Sequence, residues 1–229
     1  MWEINVTRLS GSVSPWVALG MVLLVGWHPR DAGAQDIGLE VLKKAAVRYG
    51  DVETFCADFT QHLYVPLLGS ERSGTGRLCQ AKPNLFAMRF DNPEGDLIVV
   101  DGMFTWVYFP SNDEKTVLKT SADRSAGGRD FHREFLENPG AKYAVTYESA
   151  EDVEEWSTHR LRMVPRLSMS YRSATIWIDR GAPVLRRIQM EEANGNVRTI
   201  TMGNVGFDAD PGSDFFTFTP PSGVLVMVR

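Results

Sequence analysis

The chain has 229 residues, 43% of them hydrophobic, with two cysteines and a formal net charge of −5. That length and apolar content support one domain with a real core. The mild acidity argues against the basic footprint of a protein that binds nucleic acid or an anionic membrane surface, so no nucleic-acid partner is expected.

In chain order, residues 1–34 read as an export signal. Arg8 and the α-amino group give a weakly positive start, residues 15–27 are a short apolar stretch, and Ala32-Gly33-Ala34 offers small residues for cleavage before Gln35. The apolar stretch is too short for a comfortable membrane span. No cysteine follows the small residues, so the exported chain is expected to be soluble and unlipidated at its own N-terminus. Residues 35–229 are expected to form a single domain.

Residues 35–50 read as an amphipathic helix, with Leu42, Ala45, Ala46 and Tyr49 on one face and Lys43, Lys44 and Arg48 elsewhere; Gly50 suits its end. Strands are predicted over 55–65, 74–80, 85–91, 97–100 and 104–108. The spacers Asn92-Pro93-Glu94-Gly95 and Asp101-Gly102 are turn signals between neighbours, which makes an antiparallel meander. Pairing 55–65 with 73–82 sets Cys56 opposite Cys79 and Asp58 opposite Arg77 in one register. Export permits a disulfide at Cys56 and Cys79. Two free, half-buried thiols or a different register are the alternatives, because strand geometry restricts bridges across a sheet.

The middle of the chain changes character. Residues 123–128 are polar and glycine-rich, and Asp130 can cap a short helix over 131–137 that Pro139 ends. Phe131, Phe135 and Leu136 share a face of it, and so short a helix must dock that face to be stable. Strands resume at 143–148, 159–164, 173–178, 184–191, 197–203 and 216–219. The predicted fold is therefore mainly β with two helical pieces, and a meander this long curls rather than staying flat.

Residues suited to catalysis are scarce. His62, His132 and His159 are far apart and lack metal-ligand spacing. Gly74-Thr75-Gly76 lacks the third glycine of a phosphate loop and sits among strands. The acidic run 148–155 lacks the calcium-loop pattern and reads as a solvated turn. No enzymatic activity, metal or cofactor is expected.

Alternation instead points to an apolar wall. Phe86, Met88 and Phe90 share a face, and pairing through the two turns adds Leu97 and Val99, then Trp106 and Tyr108. A cavity wall and an ordinary core wall have the same composition. A register one residue different would move the second group to the other face.

Several ordered motifs carry a family resemblance: Phe55-x-Ala57-x-Phe59-Thr60-Gln61, Gly74-x-Gly76-x-Leu78, Lys82-Pro83-Asn84-Leu85-Phe86, Asp101-Gly102 with Trp106-x-Tyr108, and Phe216-Thr217-Phe218-Thr219-Pro220-Pro221-Ser222-Gly223-Val224. Behind an export signal, this set resembles the periplasmic outer-membrane lipoprotein carrier proteins, the LolA family. The resemblance implies a strongly curved antiparallel sheet, an incomplete β-barrel, with α-helices as a lid over its apolar concave side. Leu42, Tyr49, Phe131, Phe135 and Leu136 are then the lid residues. It further implies a monomeric periplasmic chaperone that carries acylated lipoproteins from an inner-membrane ABC transporter to an outer-membrane receptor. Lys82 occupies the family's basic position before the proline, which in relatives hydrogen-bonds the lid. Many relatives have Arg there, and Lys lacks the planar fork of donors, so a looser latch is expected. Ala87-Met88-Arg89 departs from the family pattern and bears on cavity shape rather than fold. Competing expectations are a carrier of another amphiphile, such as a glycolipid, and a lipoprotein-sensing regulator on the same fold, which would usually carry a second domain.

Overall fold

A computed structural model describes residues 30–122 and 131–229. Residues 1–29 of the predicted signal, the polar stretch 123–128 and Asp130 lie outside the described residues.

Helix α1 spans Arg30–Gly50. It begins before the predicted start, so that Ala34 and Gln35 both lie within it. Its buried residues Val41, Leu42, Ala45 and Tyr49 follow helical spacing, and Lys43, Lys44 and Arg48 stay exposed. The strands are β1 Thr54–Val65, β2 Ser70–Ala81, β3 Leu85–Asn92, β4 Leu97–Asp101, β5 Phe104–Tyr108 and β6 Thr116–Ser121. A π-helical turn at His132–Leu136 and a single turn α2 at Pro139–Lys142 follow. The chain then runs through β7 Tyr143–Val153, β8 Trp156–Pro165, β9 Tyr171–Asp179, β10 Leu185–Glu192, β11 Val197–Phe207 and β12 Leu225–Val228.

All twelve strands make one sheet, in the order β12-β6-β5-β4-β3-β2-β1-β11-β10-β9-β8-β7. β12 and β7 are its two edges and do not pair, so the curved sheet is open. Its pairings are antiparallel except the last, since β12 runs parallel to β6. Neither β6 nor β12 is predicted from the sequence. Conversely, the strand predicted over 216–219 is absent: Phe216 closes a 3-10 turn at Ser213–Phe216 and the following residues cross the outside of the sheet without a partner strand. The acidic run, expected as a turn, instead continues β7 to Val153; only Glu154 and Glu155 turn.

The β1–β2 register sets Cys56 opposite Cys79 and Asp58 opposite Arg77, as alternation predicts, and Cys56 and Cys79 are disulfide-bonded. Curvature gives the sheet two faces with separate cores. The concave core holds Phe59, Leu78, Phe86, Met88 and Phe90 against α1 and the π-turn. The convex core gathers Cys56, Cys79, Ala87 and Val99 under Phe216.

The sheet also has two rims. At one lie the tip of the β1–β2 hairpin and the β5–β6, β8–β9 and β10–β11 connections. The opposite rim carries the β2–β3 turn with Lys82 and the β4–β5, β7–β8 and β9–β10 turns.

Candidate functional site: a roofed apolar wall

β3 is the centre of the wall because alternation sends Phe86, Met88 and Phe90 to the concave side. The two glycines of β2 seat the last of these. A Cβ on Gly74 would stand 2.8 Å from the Phe90 ring, and one on Gly76 would stand 2.0 Å from the Arg89 carbonyl oxygen. Only glycine lets β2 and β3 approach so closely there. Phe59 closes on Phe90 edge-on at 4.9 Å.

Register then decides the rest of the wall. Met88 faces Ile98 and Phe86 faces Val100, while Ile98 in turn faces Val107. Leu97, Val99, Trp106 and Tyr108, expected on this wall, share a face with one another but on the convex side. The turn after Asn92 places Arg89, not Phe90, opposite Leu97, and one residue of register exchanges faces. On the convex side Trp106 and Tyr108 receive Phe218 at 6.0 and 5.7 Å. The extended end motif is thus a strap over the outer core. Arg89 fastens it, donating to the carbonyls of Phe215 at 3.0 Å and Thr217 at 2.6 Å. The departure at Ala87-Met88-Arg89 thereby supplies a small convex residue, a concave thioether and a strap anchor.

Leu42, Tyr49, Phe131, Phe135 and Leu136 all lie in the concave core, over the wall. Phe131 meets Phe86 edge-on at 5.9 Å. α1 comes down on β7 at Gly38, where a Cβ would lie 2.9 Å from the Val145 side chain.

Polar contacts hold the roof at both rims. The Lys82 ammonium donates to the Gly50 carbonyl at 2.7 Å and lies 3.5 Å from the Glu53 carboxylate. It satisfies a free carbonyl at the end of α1, where a cation also suits the helix dipole. The Leu185 amide donates to the Tyr49 hydroxyl at 3.1 Å, and burial pushes that phenol's pKa up. At the opposite rim, buried Glu134 of the π-turn accepts from Tyr143 at 2.6 Å and from Tyr171. The two hydroxyls lie 2.6 Å apart. Burial, then the bond to Glu134, raises both tyrosines' pKa values. Glu134 escapes a reading by apolar periodicity, although its place between Phe131 and Phe135 on a docking face is the available signal.

Among the described residues, two openings adjoin the wall and the roof. One, of about 380 Å³, lies between Phe86, Met88, Ile98 and Phe131 and reaches the hairpin-tip rim at Gln61 and Arg198. There Arg198 bonds Gln61 at 3.0 Å and Glu192 at 3.0 Å. The other, about 330 Å³, lies beside the end of α1 among Tyr49, Phe55, Lys82 and Arg133.

Among the described residues no group of His, Cys, Asp and Glu is placed to hold a metal. His62 pairs with Glu71 at 3.2 Å, His159 packs beside the Tyr147 ring at 5.7 Å, and the His132 side chain lies outside the described residues. His159 is pushed below its ordinary pKa by burial first, then by Arg180 and Lys44. In the acidic run, Glu151 accepts from the Trp177 indole at 2.5 Å and Glu148 pairs with Arg160 at 2.8 Å. The site offers apolar burial under a roof of α1 and the π-turn.

Known proteins resemble this chain in sequence and in fold. The family model described as outer membrane lipoprotein carrier protein LolA matches residues 50–219. An outer-membrane lipoprotein carrier protein of Neisseria gonorrhoeae is 27% identical over 197 residues, 86% of this chain and 89% of that one. One from Shewanella sediminis is 26% identical over 211 residues, 91% of each chain. Among solved structures, an uncharacterized conserved protein of Thermus thermophilus superposes with a TM-score of 0.52 at 13% identity, covering 83% of this chain and 98% of that one. The lipoprotein LppX of Mycobacterium tuberculosis gives 0.50 at 13% identity, over 78% and 99% of the two chains. At that identity the two structures speak for the fold alone.

Proposed function

The chain belongs to the outer membrane lipoprotein carrier family, LolA, and from that premise we propose that it is a periplasmic chaperone for lipoproteins. It shelters their acyl chains on the concave wall and carries them from the inner-membrane ABC transporter to the outer-membrane receptor. It acts as a single chain and as a binder, not a catalyst. The observation that carries this reading is the roofed wall itself: Phe86 and Met88 face a cavity whose other side is Phe131 of the lid.

The energetics fit transport. Each buried methylene contributes about 0.8 kcal/mol, so lipoprotein acyl chains do not cross water unshielded. Full burial of several chains would exceed the roughly 18–21 kcal/mol at which non-covalent affinity saturates, and the cargo would never leave. A roof that refills the cavity reduces the net gain. As cargo enters, Phe131, Phe135 and Leu136 must give up their own buried surface, and as it leaves they recover it. The cavity under the seated roof, about 380 Å³, is at the small end of ligand sites. Cargo with several chains therefore requires the lid to move. Met88 suits contents that vary.

The test is mass spectrometry of the protein purified gently from its own cell envelope, with whatever it holds. Co-purifying acylated lipoproteins are expected. Free glycolipid would change the cargo and keep the site, and a protein that is empty and also ignores acyl probes would return the wall to being plain core.

A further inference from the structure

The β1–β2 hairpin outruns its neighbours. β3 pairs with β2 only from Thr75 onward, and β11 pairs with β1 only as far as Tyr64. The turn Pro66–Leu68, capped by Gly69 in the left-handed region, therefore stands clear of the sheet with no buried residue of its own. Leu67 and Leu68 sit there 91% and 72% exposed, and Tyr64 just behind them is 38% exposed. Leu167 of the β8–β9 connection, on the same rim, is 79% exposed. The cavity beside Phe86 and Met88 reaches this rim too, at Gln61 and Arg198.

We infer that the hairpin tip is a membrane-touching element: Leu67 and Leu68 dip into the surface of a lipid bilayer and set the cavity mouth against it. Three observations favour lipid over a protein partner. The apolar surface is a convex point of two side chains, whereas a specific protein interface needs about 1,000 Å² of complementary area. Its shoulder is polar and already paired within the molecule, Glu71 to His62 at 3.2 Å and Arg72 to Asn112 at 3.2 Å. Apolar tip, then an aromatic, then charged groups is the depth order of the bilayer interface. Residues 63–70 carry no charged side chain, so the contact is hydrophobic and made with zwitterionic lipid. Tip contact lets acyl chains pass between bilayer and cavity without crossing water; that purpose rests on the carrier reading, while the contact itself does not.

The experiment is flotation with vesicles of equal parts phosphatidylcholine and phosphatidylethanolamine, using protein purified from its cell envelope. Wild type is expected to float at both low and high salt, and the double variant Leu67→Ser/Leu68→Ser to partition at least tenfold less. Loading of a tripalmitoylated peptide, measured alongside, should be the same for both proteins. The indole of a Leu67→Trp variant should be quenched by bromolipid in the same vesicles. Equal flotation of both proteins, no flotation by wild type, or an indole at the tip that bromolipid leaves unquenched would overturn the inference. So would loss of self-association rather than of flotation in the double variant, which would make a second copy the partner. Absent peptide loading with intact, tip-dependent flotation would sink the carrier reading and leave the tip assignment standing.

Discussion

Lys82 and Glu134 hold the roof at opposite rims, and they do so with different chemistry. Lys82 is half-exposed and makes one good bond to the end of α1, so its net worth to stability is on the order of 1 kcal/mol. Glu134 is buried between two phenols, and a carboxylate there is held only by the bonds it accepts. Replacing either should loosen the lid more than it disturbs the sheet. Lys82→Leu and Glu134→Gln are expected to speed the uptake and escape of a fluorescent acyl probe several-fold in stopped-flow. The melting temperature should fall only slightly for Lys82→Leu and further for Glu134→Gln. Unchanged probe kinetics in both would show that neither contact limits opening. The sequence offered these two residues unequally. Lys82 is visible because a motif surrounds it, while Glu134 is one acidic side chain on an apolar face, and nothing short of the fold brings Tyr143 and Tyr171 to it.

The elements show where pattern suffices and where pairing must be seen. Alternation is local, so it finds most strands, the α1 face, and the sharing of one side by Phe86, Met88 and Phe90. It also groups Leu97, Val99, Trp106 and Tyr108 together. Which side that group takes depends on a turn of a few residues, and one position of register reverses it. β12 is a short apolar run whose partner lies far back in the sequence, and β6 has little alternation, so neither is predicted. The strap across the convex face is a similar case: its phenylalanines alternate as in a strand, yet they pack on a sheet face instead of pairing at an edge. Arg89 is its fastening, and Arg89→Ala should free the strap. The expected result is a loss of at least about 1.5–3 kcal/mol in urea unfolding and early proteolysis near Phe215 and Phe218. Acyl-probe loading on the other face should stay normal; impaired loading would mean that the two faces are coupled.

At the scale of the whole molecule, the two faces also differ in how they meet acid. His159 lies on the roofed side near Lys44 and is held neutral by burial, its pKa lowered below that of the unfolded chain. The unfolded state then binds the proton more readily, so stability is present above about pH 6.5 and declines as pH falls below it. His159→Gln should flatten that decline, read as the urea midpoint at pH 7 and pH 5; an unchanged slope would assign the acid sensitivity elsewhere. Beside the convex core, Asp101 is held below the usual carboxylate range: burial opposes this, but bonds from the Trp106 indole and the Phe104 and Met103 amides outweigh it, so that side answers only to stronger acid. This division has a consequence for how the protein can vary. On the proposed function, the disulfide and strap serve stability alone, whereas the wall and roof serve both stability and what is held. Odd and even positions along a single strand such as β3 are therefore under separate demands. On that proposal, cargo preference can drift at Phe86 and Met88 while Ala87 and Arg89 keep the molecule intact, so a lineage can change what it carries without first rebuilding the carrier.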